Sequence, residues 1–401
     1  MFVTTTEAEP APPSLSLLAL FLRFLRFGVL AFGGPVAQIA MIRHDLVDEE
    51  RWISNAHFNR LLAVLQVLPG PEAHELCVHL GMRARGRVGG FLAGLGFMLP
   101  GFVIMLAIGW VYVALSPVMG LSAGAFFGVQ VGVIAVIVRA VHKIGSHILE
   151  DPWLWAVAVV GAVATLLGVA FWIVLIAGGA GYASLKTARY GLAAIVFVIA
   201  VAFAVGLYVS GAGVAVTDIP SISPTSAAAM LWTGLKAGLL TFGGAYTAIP
   251  YVRTDTVGRG LISDGQFLDG IAFAGVIPAP LVMFCTFVGF VAGGWVGAVA
   301  MTVGVFLPAF AFSMIFYERL ETVVADERLH RALAGVAAAV VGIIAATSVQ
   351  LASATLQRVP SAPVAVAIFL AAFAAVWFWK SRYAIAVVLA GCATVGWGLF
   401  R

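Results

Sequence analysis

Ionised side chains are what this sequence has least of. In 401 residues there are 22 Lys or Arg and 18 Asp or Glu, 10% of the chain, where a soluble globular chain carries roughly 25%. Against 62% hydrophobic residues and a mean hydropathy of +1.07, so few charges cannot wet a compact surface, which excludes a soluble fold. The net charge of +4 is then loop charge that sets topology, not a nucleic-acid surface. Cysteine is scarce as well. Cys77, Cys285 and Cys392 all lie in apolar runs, which excludes a disulfide framework and a CxxC metal centre. No GxxxxGKS/T loop occurs, so the chain does not hydrolyse ATP, and no GxSxG elbow or paired-acid arrangement marks an enzyme. His74 and His79 are five residues apart, off the i, i+4 spacing of a zinc helix; neither metal nor cofactor is expected. Residues 1–15 form a polar tail without the basic cluster of a secretory signal.

Long apolar runs are what the sequence has instead. A bilayer core takes about 20 apolar residues per helix. Runs of that kind lie at 16–42, 58–82, 89–115, 121–140, 152–168, 170–186, 190–214, 228–250, 265–289, 294–316, 332–353, 362–379 and 383–400. The fold class is therefore all-α: a polytopic integral membrane protein with about 13 transmembrane segments. Trp52, Trp153, Trp232, Trp379 and Tyr383 stand at span ends, as interfacial belts do.

The chain also repeats itself. Phe32-Gly33-Gly34 returns 210 residues later as Phe242-Gly243-Gly244. Pro69 and Pro71 return after 209 as Pro278 and Pro280, and Leu99-Pro100 after 208 as Leu307-Pro308. Shared helix composition does not keep Pro and Gly in step like this; duplication does. The expected division is a tail (1–15), a first membrane repeat (16–186), an odd transmembrane segment and linker (187–227), and a second repeat (228–401). Arg83, Arg85 and Arg87 follow the second span, while the matching loop near Trp295 is uncharged. Conversely Arg319, Arg328 and Arg331 follow the tenth span, while its counterpart at 116–120 is uncharged. Basic loops face the cytoplasm, so the repeats are inverted, with the N-terminus inside and Arg401 outside. Arg139, His142, Lys143, Lys186, Arg189, Arg253, Arg259, Lys380 and Arg382 then fall on the inner side. Inverted repeats place a transporter's site at mid-membrane between them.

Three motifs carry chemistry. Gly33-Gly34-Pro35 interrupts an apolar run, and Pro suits the first turn of a new half-helix whose free amides favour an anion; Gly243-Gly244 repeats the break without the proline. Pro69-Gly70-Pro71 breaks the next run. Behind it Glu72, Glu75 and His79 share one helical face; ionisable groups at that depth are functional candidates by default, and a carboxylate there is a candidate to carry a proton. The third is a pair of cations, Arg26 and Lys236, each seven residues before the first glycine of its break, two turns away on the same face. Kinked backbone plus buried cations suits a small anion. A close-packed glycine seam, a helix cap and snorkelling to the headgroups are the corresponding structural alternatives.

The strings FGGPVAQIAM (32–41), LPGPEAHEL (68–76), RVGGFLAGLGFMLPG (87–101) and the second FGGA resemble the chromate ion transporter family of bacteria, in its long two-domain form, through both halves. The resemblance implies a multi-pass inner-membrane efflux protein for chromate, conferring chromate resistance, with sulfate as look-alike oxyanion and the proton motive force as driver. It places Phe32 to Pro35, Gln38, Pro69, Gly70, Pro71, Glu72 and Arg26 on family motif positions. His74, Glu75 and His79 depart from it. The expected site is thus Arg26, Gly33, Gly34, Pro35, Gln38, Gly70, Pro71, Lys236, Gly243 and Gly244 for substrate, with Glu72 for proton coupling. Expected partners are a chromate- or sulfate-like oxyanion and the lipid bilayer, and no nucleic acid. Protons as coupling ion and a homodimer stay open, as do a sulfate carrier and a passive anion channel.

Overall fold

The computed structural model describes residues 10, 12–65, 69–115, 123–187, 225–241, 244–315, 327–379, 381 and 383–400. Among them there is no strand, and the helices come in matching sets. The first set is α1 (Leu17–Leu30), α2 (Gly34–Arg43), α3 (Asn55–Leu65), α4 (Glu72–Leu115), α5 (Ala123–Ile148), α6 (Pro152–Leu166) and α7 (Phe171–Lys186). The second is α8 (Ala227–Leu239), α9 (Ile249–Thr256), α10 (Asp264–Val276), α11 (Phe284–Ile315), α12 (Glu327–Leu356), α13 (Ala362–Phe378) and α14 (Ala384–Leu399).

Local chemistry sets the boundaries twice over. Ser16 caps α1 through the Ala19 amide and Ser226 caps α8 through the Ala229 amide. α4 reverses at Arg85-Gly86, where Gly86 has φ 60° and ψ −157°, and α11 reverses at Gly293-Gly294, with φ 62° and ψ −152° at Gly294. Only glycine adopts such angles without strain. Each reversal folds a short arm back against a long one. Gly81 lies against Gly89 and Ala93, and Thr286 bonds Thr302 at 2.7 Å.

These reversals change the span count. Arg23 in α1 pairs with Glu50 and reaches Asp45 at 3.9 Å, so α1 and α2 run out and back. In the same way Arg83 donates to the Trp52 carbonyl at 3.3 Å, which brings the far end of the 72–84 arm back to the start of α3. The expected spans 16–42 and 58–82 are therefore re-entrant hairpins that return to the face they enter from. Thr233 donates to Asp255 at 3.1 Å, so 228–250 does the same; 265–289 is its broken partner. Among the described residues four helices are long and apolar enough to cross a membrane, α4 and α11 with their long arms, α5 and α12, while α6, α7, α13 and α14 are shorter apolar helices. The odd span expected at 190–214 lies outside the described residues.

Inversion is visible in the packing. Along the long arm of α4, Gly101 meets Ala279, Gly109 meets Phe290 and Tyr112 meets Phe287. That arm thus runs alongside the 281–292 arm in the same direction, and antiparallel to its own short arm, 72–84. The two equivalent short arms therefore point opposite ways. The same two-fold shows as a reciprocal contact: Gly101 against Ala279, and Gly70 against Ala309. Re-entry also moves charge. Arg43 and Arg51 join Arg83, Arg85 and Arg87 on one face, here called the basic face, whereas Arg253 and Arg259 fall on the other, opposite the side expected for them. There Arg253 is held by Asp264 at 2.8 Å. Trp52 is no interfacial anchor either. It is fully buried, its indole N–H bonded to Glu50 at 2.9 Å.

α6 starts at the basic face under one carboxylate. Asp151 accepts the Trp153 and Leu154 amides at 2.8 and 3.0 Å, the Tyr182 hydroxyl at 2.7 Å and the Lys186 ammonium at 2.9 Å. Burial pushes its carboxyl up, but those donors outweigh burial and hold it at about 2. Because the folded value lies below the ordinary one, its contribution is present above the usual carboxylate range and fades as pH falls toward 2. Asp151→Ala is expected to cost about 1–2 kcal/mol at neutral pH, mostly as a lost cap. Thermal unfolding in detergent checks this, and an unchanged midpoint refutes the capping role.

Candidate functional site

Between the two repeats lies a cavity of about 460 Å³. Its floor is the pair of first breaks, with Gly33, Gly34, Pro35 and Val36 from one repeat and Gly244 and Tyr246 from the other. Its walls come from α5 and α12, and it extends to His147, Glu150 and Asp151 at the basic face. Glu72 faces into it at the head of the 72–84 arm.

The floor follows from local sequence. Gly33 and Gly34 have φ of 90° and 80°, and Pro35 sits in the first turn of α2. A Cβ at Gly34 would meet nothing within 4 Å, so glycine is there for its dihedral angle and not for space. The first amides of α2 have no partner within the helix and carry the positive end of its dipole. One turn on, Gln38 is buried; its amide donates to Ala31 O at 2.9 Å and across the repeats to Ala279 O at 3.1 Å. The Gly70 amide donates to Thr241 O at 2.8 Å, which is the mirror-related tie. Gln38, Gly70 and Pro71 thus clasp the breaks together behind the cavity and do not line it. Gly243 lies outside the described residues.

The two expected cations are placed elsewhere. Arg26 is exposed, outside the cavity. Lys236 is ion-paired with Asp255 and also stands apart from it. The physical reason is the hairpin: the returning arm brings an acid, Asp255, opposite Lys236, while in the first repeat Asp45 faces Arg23 and not Arg26.

The basic side chains that do line the cavity are Arg139, Lys143 and His147 of α5, with Arg331 across from them on α12. Their spacing of i, i+4, i+8 puts them on one helical face. Among the described residues neither Arg139 nor Lys143 makes an ion pair. Two like charges one turn apart repel each other, and an anion between them and the α2 N-terminus relieves that repulsion with charge-assisted hydrogen bonds. Sequence reasoning missed this row because it ended the span at 140 and read Arg139, His142 and Lys143 as loop charges. The helix runs on to Ile148, and the four-residue spacing was the signal.

Residues 18–183, and again residues 228–397, match the family model for chromate transporters. The chain belongs to the chromate transporter family. It is 57% identical to a chromate transport protein of Pseudomonas aeruginosa, covering 99% of this chain and 96% of that one. It is 30% identical to a chromate transport protein of Cupriavidus metallidurans over 90% and 88% of the two chains. A probable chromate transport protein of Synechococcus elongatus is 29% identical over 87% and 88%. No solved structure matches the chain. This family member is accordingly a multi-pass membrane protein of a chromate-transporting family.

Proposed function

We propose that this chromate-transporter family member exports chromate from the cytoplasm by alternating access between its inverted repeats, in a bacterial inner membrane, and so confers chromate resistance. The observation that carries the reading is the row of Arg139 and Lys143 facing the broken N-terminus of α2 across a cavity that reaches the basic face. Basic faces lie in the cytoplasm, so the cavity is filled from inside. A dianion leaving a negative interior gains about 4.6 kcal/mol per 100 mV, which suffices as a driving force. Gly33, Gly34, Pro35 and Gly244 supply backbone donors, and Arg139 and Lys143 supply charge. Gln38, Gly70 and Pro71 hold the breaks, and Glu72 carries a proton. Arg26 and Lys236 have no contact with substrate in this reading; Lys236 anchors the second hairpin. The functional units are the repeats 16–186 and 228–401, joined through 187–227.

The test is chromate flux in proteoliposomes under imposed potentials, with sulfate as competitor. Saturable counterflow whose net rate rises as the basic face is made negative is expected. Non-saturable flux would mean a passive channel, and sulfate transport without chromate transport would reassign the substrate.

A further inference from the structure

The cavity accounts for Glu72 but not for the carboxylate one turn behind it. Glu75 is fully buried, and neither of its oxygens has a hydrogen-bond partner among the described residues. It sits where the two repeats interlock. A Cβ at Gly70 would come 2.5 Å from Glu75 Oε1 and 3.2 Å from the Ala309 methyl of the other repeat, while the Gly70 amide is tied to Thr241. Beside it, the His74 ring packs edge-on against Phe306 and Phe310 at 4.8 and 4.6 Å. A carboxylate without donors in such surroundings costs several kcal/mol; the neutral acid is what this packing accommodates.

We propose that Glu75 is a proton-binding site distinct from the oxyanion cavity, loaded through Glu72, whose occupancy holds the inward-facing interlock of the two breaks. This rests on the carrier reading above and deepens it by naming where the coupled proton resides. Glu72, three residues before Glu75 on the same face, takes a proton from cavity solvent. Its O–H bond then breaks as one forms on the Glu75 carboxylate, and Glu72 returns to its ionised form. The other titratable groups near Glu75 come from its own arm: His74 beside it, Glu72 on the cavity side and His79 one turn on, which has His57 of α3 and Arg83 as neighbours. From the second repeat Ala309 lies beside Gly70 and Glu75, and Phe306 and Phe310 pack on His74; among the described residues no donor or cation pairs with Glu75. When Glu75 loses its proton, the new charge has no partner beside Gly70 and Ala309. The interlock must then open, and this links the proton to the switch between inward- and outward-facing forms.

The experiment uses the full-length protein in liposomes, with two readouts: chromate counterflow at equal pH, and chromate accumulation driven by a pH gradient. In Glu75→Gln, an isostere of the neutral acid that cannot release its proton, the interlock stays shut, so counterflow and gradient-driven accumulation are both expected to fall about tenfold or more. Glu75→Asp keeps an acid at the site and is expected to retain accumulation with a displaced pH midpoint. Accumulation by Glu75→Gln equal to wild type overturns the proposal. If that variant does not reach the membrane, an unmoved midpoint in Glu75→Asp overturns it. Wild-type protein without counterflow refutes the carrier reading itself, whereas wild-type counterflow indifferent to the pH gradient refutes only the proton site.

Discussion

Arg139→Ala is expected to lower chromate flux about 100-fold, and Lys143→Ala about tenfold, with both proteins still folded in the membrane. A charge-assisted hydrogen bond is worth about 1.5–3 kcal/mol, and each 1.4 kcal/mol is a factor of ten. Arginine is given the larger effect because its planar fork grips two oxyanion oxygens at once, whereas lysine offers a point charge. Arg139→Lys keeps the charge without the fork and should recover only part of the loss. Folding is not at stake, since neither side chain has an ion-pair partner among the described residues and removing either relieves a like-charge repulsion. Arg26→Ala is the discriminating control. Arg26 is exposed and outside the cavity, so its loss should leave flux near wild type. Flux abolished by Arg26→Ala and unaffected by Arg139→Ala would return the site to the positions expected from sequence. Substrate concentration dependence of flux, measured in the same vesicles, separates lost affinity from lost turnover.

Cysteines introduced at Glu49 and at Arg85 are expected to react with a membrane-impermeant maleimide from the same side, and a cysteine at Trp295 only from the other. The outcome is all-or-none. If 58–82 crossed the bilayer, Glu49 and Arg85 would stand on opposite faces; as a re-entrant hairpin it returns both to the basic face. Trp295 comes just after the matching reversal at Gly293-Gly294 in the inverted repeat and is exposed at 56%, so it is open to reagent. Background labelling should be low, because Cys77, Cys285 and Cys392 are all buried. Labelling of the Glu49 and Arg85 positions from opposite sides would remove the re-entrant architecture, and with it the placement of both breaks at the cavity floor.

Re-entry was half legible in the residues. Prolines around Gly70 and the Gly33-Gly34-Pro35 string announce breaks, because a missing N–H and a left-handed glycine cannot continue a helix. They do not announce where the chain goes after a break. Whether the second arm goes on across the bilayer or turns back depends on its partner, and Arg23 with Asp45 and Glu50, or Arg83 with the Trp52 carbonyl, are contacts between residues 22 or more apart. Apolar length cannot tell the two cases apart, since two arms of 10–14 residues sum to one span. The cation row was lost for a related reason. A basic residue near the end of an apolar run reads as a loop charge until the helix is seen to continue past it.

Membrane residence, the duplicated halves, their opposed orientation and the glycine and proline breaks are all written in composition and periodicity, because each is a local demand of backbone or solvent on the residues themselves. Which charges line the cavity, and which merely neutralise one another, was settled by folding. Lys236 and Arg139 are both cations inside apolar helices and are alike on paper. The returning arm brings Asp255 to the first and leaves the second facing an open cavity, and long-range packing alone makes that difference.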